Sequence, residues 1–167
     1  MKTTLAVIFA VIIVAMTTIP VWSVEKPGLR TGDPLPPRTF PTLAGTTMTI
    51  PDEVKGKVTV IHFWTDGCGK CRKVMPGLDA IYEQYRQTGL QIIAVNVGQK
   101  KALVKRFVDE TGIRYPVLLD LAKESAGVYS VVGLPRTYLL DRKGIVRYKI
   151  LGEAPADQIL KLIQKLL

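Results

Sequence analysis

Seven consecutive residues, Val58 to Trp64 (VTVIHFW), are mostly β-branched or aromatic, and two cysteines follow closely in Cys68-Gly69-Lys70-Cys71. No other feature of the 167-residue chain restricts its fold as much. A run this apolar reads as a strand buried on both faces, which requires packed layers on each side of a sheet. From Gly69 to about Gln87 apolar residues recur at helical spacing (Val74, Leu78, Ile81, Tyr82, Tyr85), and Gly89 closes the helix before a strand from Leu90 to Val97. The cysteines therefore stand where a central strand turns into a helix.

That position favours thiol chemistry. Unpaired backbone N–H groups and the helix dipole stabilise a thiolate at Cys68, the attacking sulfur, while Cys71, one turn further on, can meet it sulfur to sulfur as the resolving thiol. These are the only two cysteines, too few for a disulfide framework or a four-cysteine zinc ribbon. A metal site would need two more ligands, and His62 is the only imidazole in the chain. Two inert, buried thiols are the bland alternative. No metal or other cofactor is expected beyond a redox-active Cys68–Cys71 disulfide. His62 lies among Val60, Ile61, Phe63 and Trp64, so it should be buried, either as a structural imidazole or as the acceptor of the Cys71 proton.

Around this centre the chain divides into three parts. Leu5 to Trp22 is an 18-residue segment without charge, about 27 Å long as a helix, so residues 1–24 read as a signal anchor or signal peptide. Residues 25–38 hold four prolines (Pro27, Pro34, Pro36, Pro37) and read as a tether. Residues 39–167 form one domain: a hairpin over Phe40 to Ile50, the strand and helix of the cysteines, and a second β-α unit with a basic helix from about Lys100 to Thr111 and a strand from Pro116 to Leu119. A short helix follows near Leu121 to Tyr129. Two strands joined by DRKG (Thr137 to Leu140, Ile145 to Leu151) and a closing helix from Ala156 complete a mixed sheet flanked by helices.

Lys and Arg number 23 against 14 Asp and Glu, a formal net charge of +9. Positive charge describes a surface, and Lys100, Lys101, Lys105 and Arg106 without interleaved aromatics do not argue for nucleic acid.

VIHFWTDGCGKCRKVMP resembles the active-site segment of thioredoxins, including Pro76 five positions after the second cysteine, and GLPRTYLLDRKG resembles their cis-proline segment. The interval from Cys71 to Pro135 is longer than in cytosolic thioredoxin, as though a helix and strand were inserted. Together with the N-terminal segment and TFPTLAG, this resembles the anchored branch containing TlpA, ResA and DsbE-type reductases of cytochrome c maturation. The resemblance implies a thioredoxin-like α/β fold, a cis Pro135 opposite the disulfide, and a partner polypeptide lying beside Pro135 and pairing with the backbone of Leu134. In that fold the bases Lys70, Arg72, Lys73 and Arg136 would cluster around the disulfide, near Gly67, either as a solvated rim or as a dock for an acidic partner surface. It also implies protein thiol or disulfide substrates, a membrane electron donor, a monomeric enzyme and an extracytoplasmic location. Departures are Gly67 where thioredoxins commonly have Trp, Lys70 where Pro is frequent, Val74 where some cytochrome-maturation reductases carry an acid, and His62 in place of a buried acid. Two alternatives stand beside this reading. Thr65 to Cys68 matches the T-x-x-C of a peroxiredoxin-type thiol peroxidase, and a copper chaperone can share the fold.

Overall fold

The computed structural model describes residues 28–167. The N-terminal segment expected as an anchor or signal lies outside the described residues. The elements run β1 (Arg38–Pro41), β2 (Thr47–Ile50), β3 (Val58–Trp64), α1 (Gly69–Tyr85), β4 (Leu90–Val97), α2 (Lys101–Thr111), β5 (Val117–Asp120), α3 (Ser125–Val128), β6 (Arg136–Leu140), β7 (Val146–Leu151) and α4 (Ala156–Gln164).

The main sheet has the order β5-β4-β3-β6-β7, and β1 with β2 forms a separate hairpin. β3 runs parallel to β4, and β4 to β5, whereas β6 is antiparallel to both β3 and β7. All seven residues of β3 are buried, as its composition predicts for a strand covered on both faces.

Because side chains alternate along a strand, β3 feeds two cores. Val58, Val60 and Trp64 pack with Cys71, Met75 and Leu78 of α1, Phe107 of α2, and Ile159 and Ile163 of α4. Ile61 and Phe63 face the other way, against Phe40 and Ile50 of the hairpin and the aromatic rings of Tyr129 and Tyr138. Part of the proline-rich stretch read as a tether is built into this second core, with Leu29 and Leu35 buried there. Gly32 donates to the carbonyl of Val146 and Leu35 to that of Gly144, so this stretch runs alongside the start of β7.

Two glycines answer to specific demands. A Cβ on Gly77 would stand 2.6 Å from the Cβ of Ala156, so only glycine lets α4 approach α1 this closely. Gly89 has φ 97°, the left-handed conformation that ends the α1 region before β4. Among the described residues no helix is long and apolar enough to cross a membrane.

Candidate redox-active site

The site lies at the carboxyl end of β3. Cys68 is the N-cap residue of α1, with extended backbone (φ −95°, ψ 97°), and its Sγ accepts a hydrogen bond from the backbone N–H of Cys71 at 3.1 Å. Cys68 and Cys71 form a disulfide with their Cα atoms 5.2 Å apart. The two sulfurs differ in access: Cys68 is half-buried, whereas Cys71 is fully buried in the α1 core. A thiolate at Cys68 would meet an N–H donor and the positive end of α1 at the protein surface.

β6 delivers the second part of the site. Its first residue, Arg136, is opposite Phe63 in the β3–β6 register, so the preceding Leu134 and Pro135 reach the end of the sheet where the cysteine loop leaves β3. The Leu134–Pro135 peptide bond is cis. Pro135 is buried and Leu134 half-buried, and both Leu134 and Cys68 pack on the edge of the α1 core. A second cis bond, Ile50–Pro51, follows the hairpin and had no counterpart in the sequence reading. Gly67 and Lys70 are exposed beside Cys68.

The basic residues do not act as one cluster. Lys70 and Lys73 are exposed in the first two turns of α1, and among the described residues neither pairs with a carboxylate. Arg72 turns instead to Asp66, at 3.0 Å, and its guanidinium lies 4.5 Å from the centre of the Phe107 ring. Arg136 lies over the ring of Tyr138 at 5.9 Å.

His62 is completely buried. It falls between Val60 and Trp64 in the alternation of β3, which places it on the face where Cys71 packs. Its Nδ1 shares a 2.9 Å hydrogen bond with the hydroxyl of Thr137, its partner across the β3–β6 register. Its Nε2 has no hydrogen-bond partner among the described residues. Burial without a compensating charge pushes the imidazole down to about 4, so it is neutral at physiological pH. Among the described residues no group of three or more His, Cys, Asp or Glu could hold a metal ion.

Sequence reasoning missed Thr137 and the Asp66–Arg72–Phe107 contacts. Thr137 is 75 residues from His62, and only strand register joins them. Asp66 was visible between the strand and the cysteines, but nothing local pairs it with an arginine one helical turn inside α1.

Comparison with known proteins agrees with this geometry. The family model described as AhpC/TSA matches residues 31–149. The chain is 32% identical over 142 residues to a thiol-disulfide oxidoreductase ResA of Bacillus cereus, covering 85% of this chain and 82% of that one. It is 31% identical over 135 residues to the ResA of Geobacillus kaustophilus, covering 81% and 77%. Among solved structures, a thiol:disulfide interchange protein from a Bacteroides species superposes with a TM-score of 0.73 at 28% identity, over 82% of this chain and 90% of that one. StoA from Bacillus subtilis gives 0.66 at 26% identity, over 76% and 96%.

Proposed function

The chain belongs to the AhpC/TSA family and, within it, to the ResA-like thiol-disulfide oxidoreductases; from that premise we propose that it is an extracytoplasmic reductant of protein disulfides, tethered to a membrane by its N-terminal segment, with apocytochrome c among its substrates. In the reduced enzyme the Cys68 thiolate attacks a partner disulfide and forms a mixed disulfide, and one partner sulfur leaves as a thiolate. Cys71 then attacks Cys68 Sγ, and the second partner sulfur departs. Two electrons pass to the partner, the enzyme is left oxidised at Cys68–Cys71, and a membrane electron donor restores its thiols.

The observation that carries this reading is the unequal exposure of two bonded sulfurs, with the accessible one at a helix N-terminus. The partner chain lies beside Pro135, whose missing N–H leaves room for it, and pairs with the backbone of Leu134. Gly67 leaves open the space that a bulky side chain would fill, while Lys70 and Arg136 attract acidic residues flanking the partner disulfide. In the tautomer whose Nδ1–H donates to Thr137, His62 keeps its Nε2 lone pair and takes the Cys71 proton during resolution, directly or through one water. Stabilising the Cys68 thiolate stabilises the reduced form, so the enzyme is a milder reductant than thioredoxin at about −270 mV.

Cys71→Ser tests the assignment. It removes the resolving thiol, so reducible mixed disulfides should accumulate on Cys68, and their partners identify the substrates. Cys68→Ser should trap none. Adducts formed on Cys71 instead would reverse the two roles, and steady consumption of hydrogen peroxide without protein-disulfide reduction would move the enzyme to the thiol peroxidases.

A further inference from the structure

The loop between β3 and α1 is held to the β4–α2 region by polar side chains. The backbone N–H of Asp66 donates to Gln99 Oε1 at 2.8 Å, and Asn96 Nδ2 donates to the same oxygen at 2.7 Å. The Asp66 carboxylate meets Arg72 at 3.0 Å and Arg106 at 3.5 Å. Glu110 meets the same two arginines, at 3.6 Å and 3.7 Å. Beneath them Phe107 supports Arg72 on one side and packs at a tilt against Trp64, the last residue of β3, with ring centres 4.3 Å apart.

Two carboxylates and two guanidiniums make this quartet neutral. Its composition matters because Asp66 is only two residues before Cys68, so their Cα atoms are no more than about 7 Å apart. A bare carboxylate at that range disfavours a thiolate, and an unopposed arginine favours one. The Asp66 side chain is 20% exposed, so solvent screens it only in part. We propose that Asp66 and Arg72 are positioning residues of opposite sign: the balanced quartet holds the cysteine loop against α2 while cancelling the field that either charge alone would impose on Cys68. This rests on Cys68 being the attacking thiol. The other charged or titratable groups around Cys68 are Lys70 and Lys73 on α1, Arg136 at the start of β6 and His62 in β3, and they are common to every variant compared below.

The test reads the thiolate without any partner protein. In full-length protein carrying Cys71→Ser, the rate of Cys68 alkylation by iodoacetamide is followed against pH. Asp66→Asn should raise the rate below the thiol midpoint by about threefold, and Arg72→Gln should lower it by about threefold. The double variant, neutral again, should return to within about twofold of the parent. Arg72→Lys keeps the charge and should stay near the parent. Both changes should shrink in part in about 1 M salt, the Arg72 effect more than that of the less exposed Asp66. Shifts of the same sign from Asp66→Asn and Arg72→Gln, or an Arg72→Lys shift as large as that of Arg72→Gln, would overturn the proposal in favour of a purely structural brace. Failure to trap partners with Cys71→Ser would instead count against the reading of Cys68, and it leaves the alkylation result readable.

Discussion

Asp120 and His62 are both buried titratable side chains on strands of one sheet, and their surroundings differ in kind. Asp120, the last residue of β5, is 3% exposed, and its carboxylate accepts hydrogen bonds from the backbone N–H of Glu124 at 2.8 Å and of Ser125 at 3.0 Å. It also accepts one from the Ser125 hydroxyl. Those are the donors that open the short helix α3, so the carboxylate closes a turn, with both of its oxygens engaged. His62, with no exposure at all, has one partner at Nδ1 and none at Nε2 among the described residues. A buried polar atom without a partner is costly in free energy, and folded proteins hold few of them. Asp120 is thereby marked as structural. His62 leaves Nε2 without a partner on the face of the buried cysteine, and in the tautomer whose Nδ1–H donates to Thr137 that nitrogen would carry the lone pair a proton acceptor needs.

The comparison breaks most readily at Asp120. Asp120→Ala strips two backbone N–H groups and a hydroxyl of their acceptor and should destabilise the protein by about 3–4 kcal/mol in denaturant titrations. Disulfide exchange by the fraction that remains folded should be unchanged. Exchange that slows in the folded protein would show that Asp120 also serves the chemistry.

His62 should dominate the acid side of the stability curve. Its imidazole titrates near 6.5 when unfolded and at about 4 when folded, so between these values the unfolded chain binds the extra proton. Stability is fully present above about pH 6.5 and is lost as pH falls toward 4, by up to roughly 3 kcal/mol, with no further loss from this group below. His62→Gln should flatten that slope. A slope that persists in the variant would assign the acid sensitivity to other groups.

The smallest effect is kinetic and separates the two readings of the imidazole. His62→Gln keeps a polar side chain without its basicity, and it should slow resolution of the mixed disulfide by about 100-fold at neutral pH, the lower end of what a positioned base contributes. The first attack by Cys68 should be untouched. Single-turnover kinetics distinguishes the steps, and unchanged resolution in a folded variant would leave His62 a structural residue.

Much of the architecture is legible in the sequence alone. Val58–Trp64 and Leu90–Val97 were delimited to the residue, and the helix after the cysteines was placed from its spacing alone, because strand and helix periods are properties of the backbone and leave their mark on neighbouring side chains. Cys68 at a helix N-terminus is local in the same sense. The contribution of Leu29 and Leu35 to the second core was not legible, since prolines and glycines around them describe only an extended chain and say nothing of what that chain lies against.

What the sequence by itself determined is thus the alternation of strands and helices, the place of Cys68 and Cys71 at a strand-to-helix turn, and the burial of His62 within an apolar run. Tertiary structure alone decided that Thr137 meets His62, that Arg72 and Arg106 turn to Asp66, and that Cys71 and His62 share one face of the sheet. The reason lies in the range of the forces involved. Element type follows from neighbours a few residues apart, whereas strand register and helix docking are set by packing among residues tens of positions apart, where a slip of one residue would turn every side chain of a strand to the opposite face.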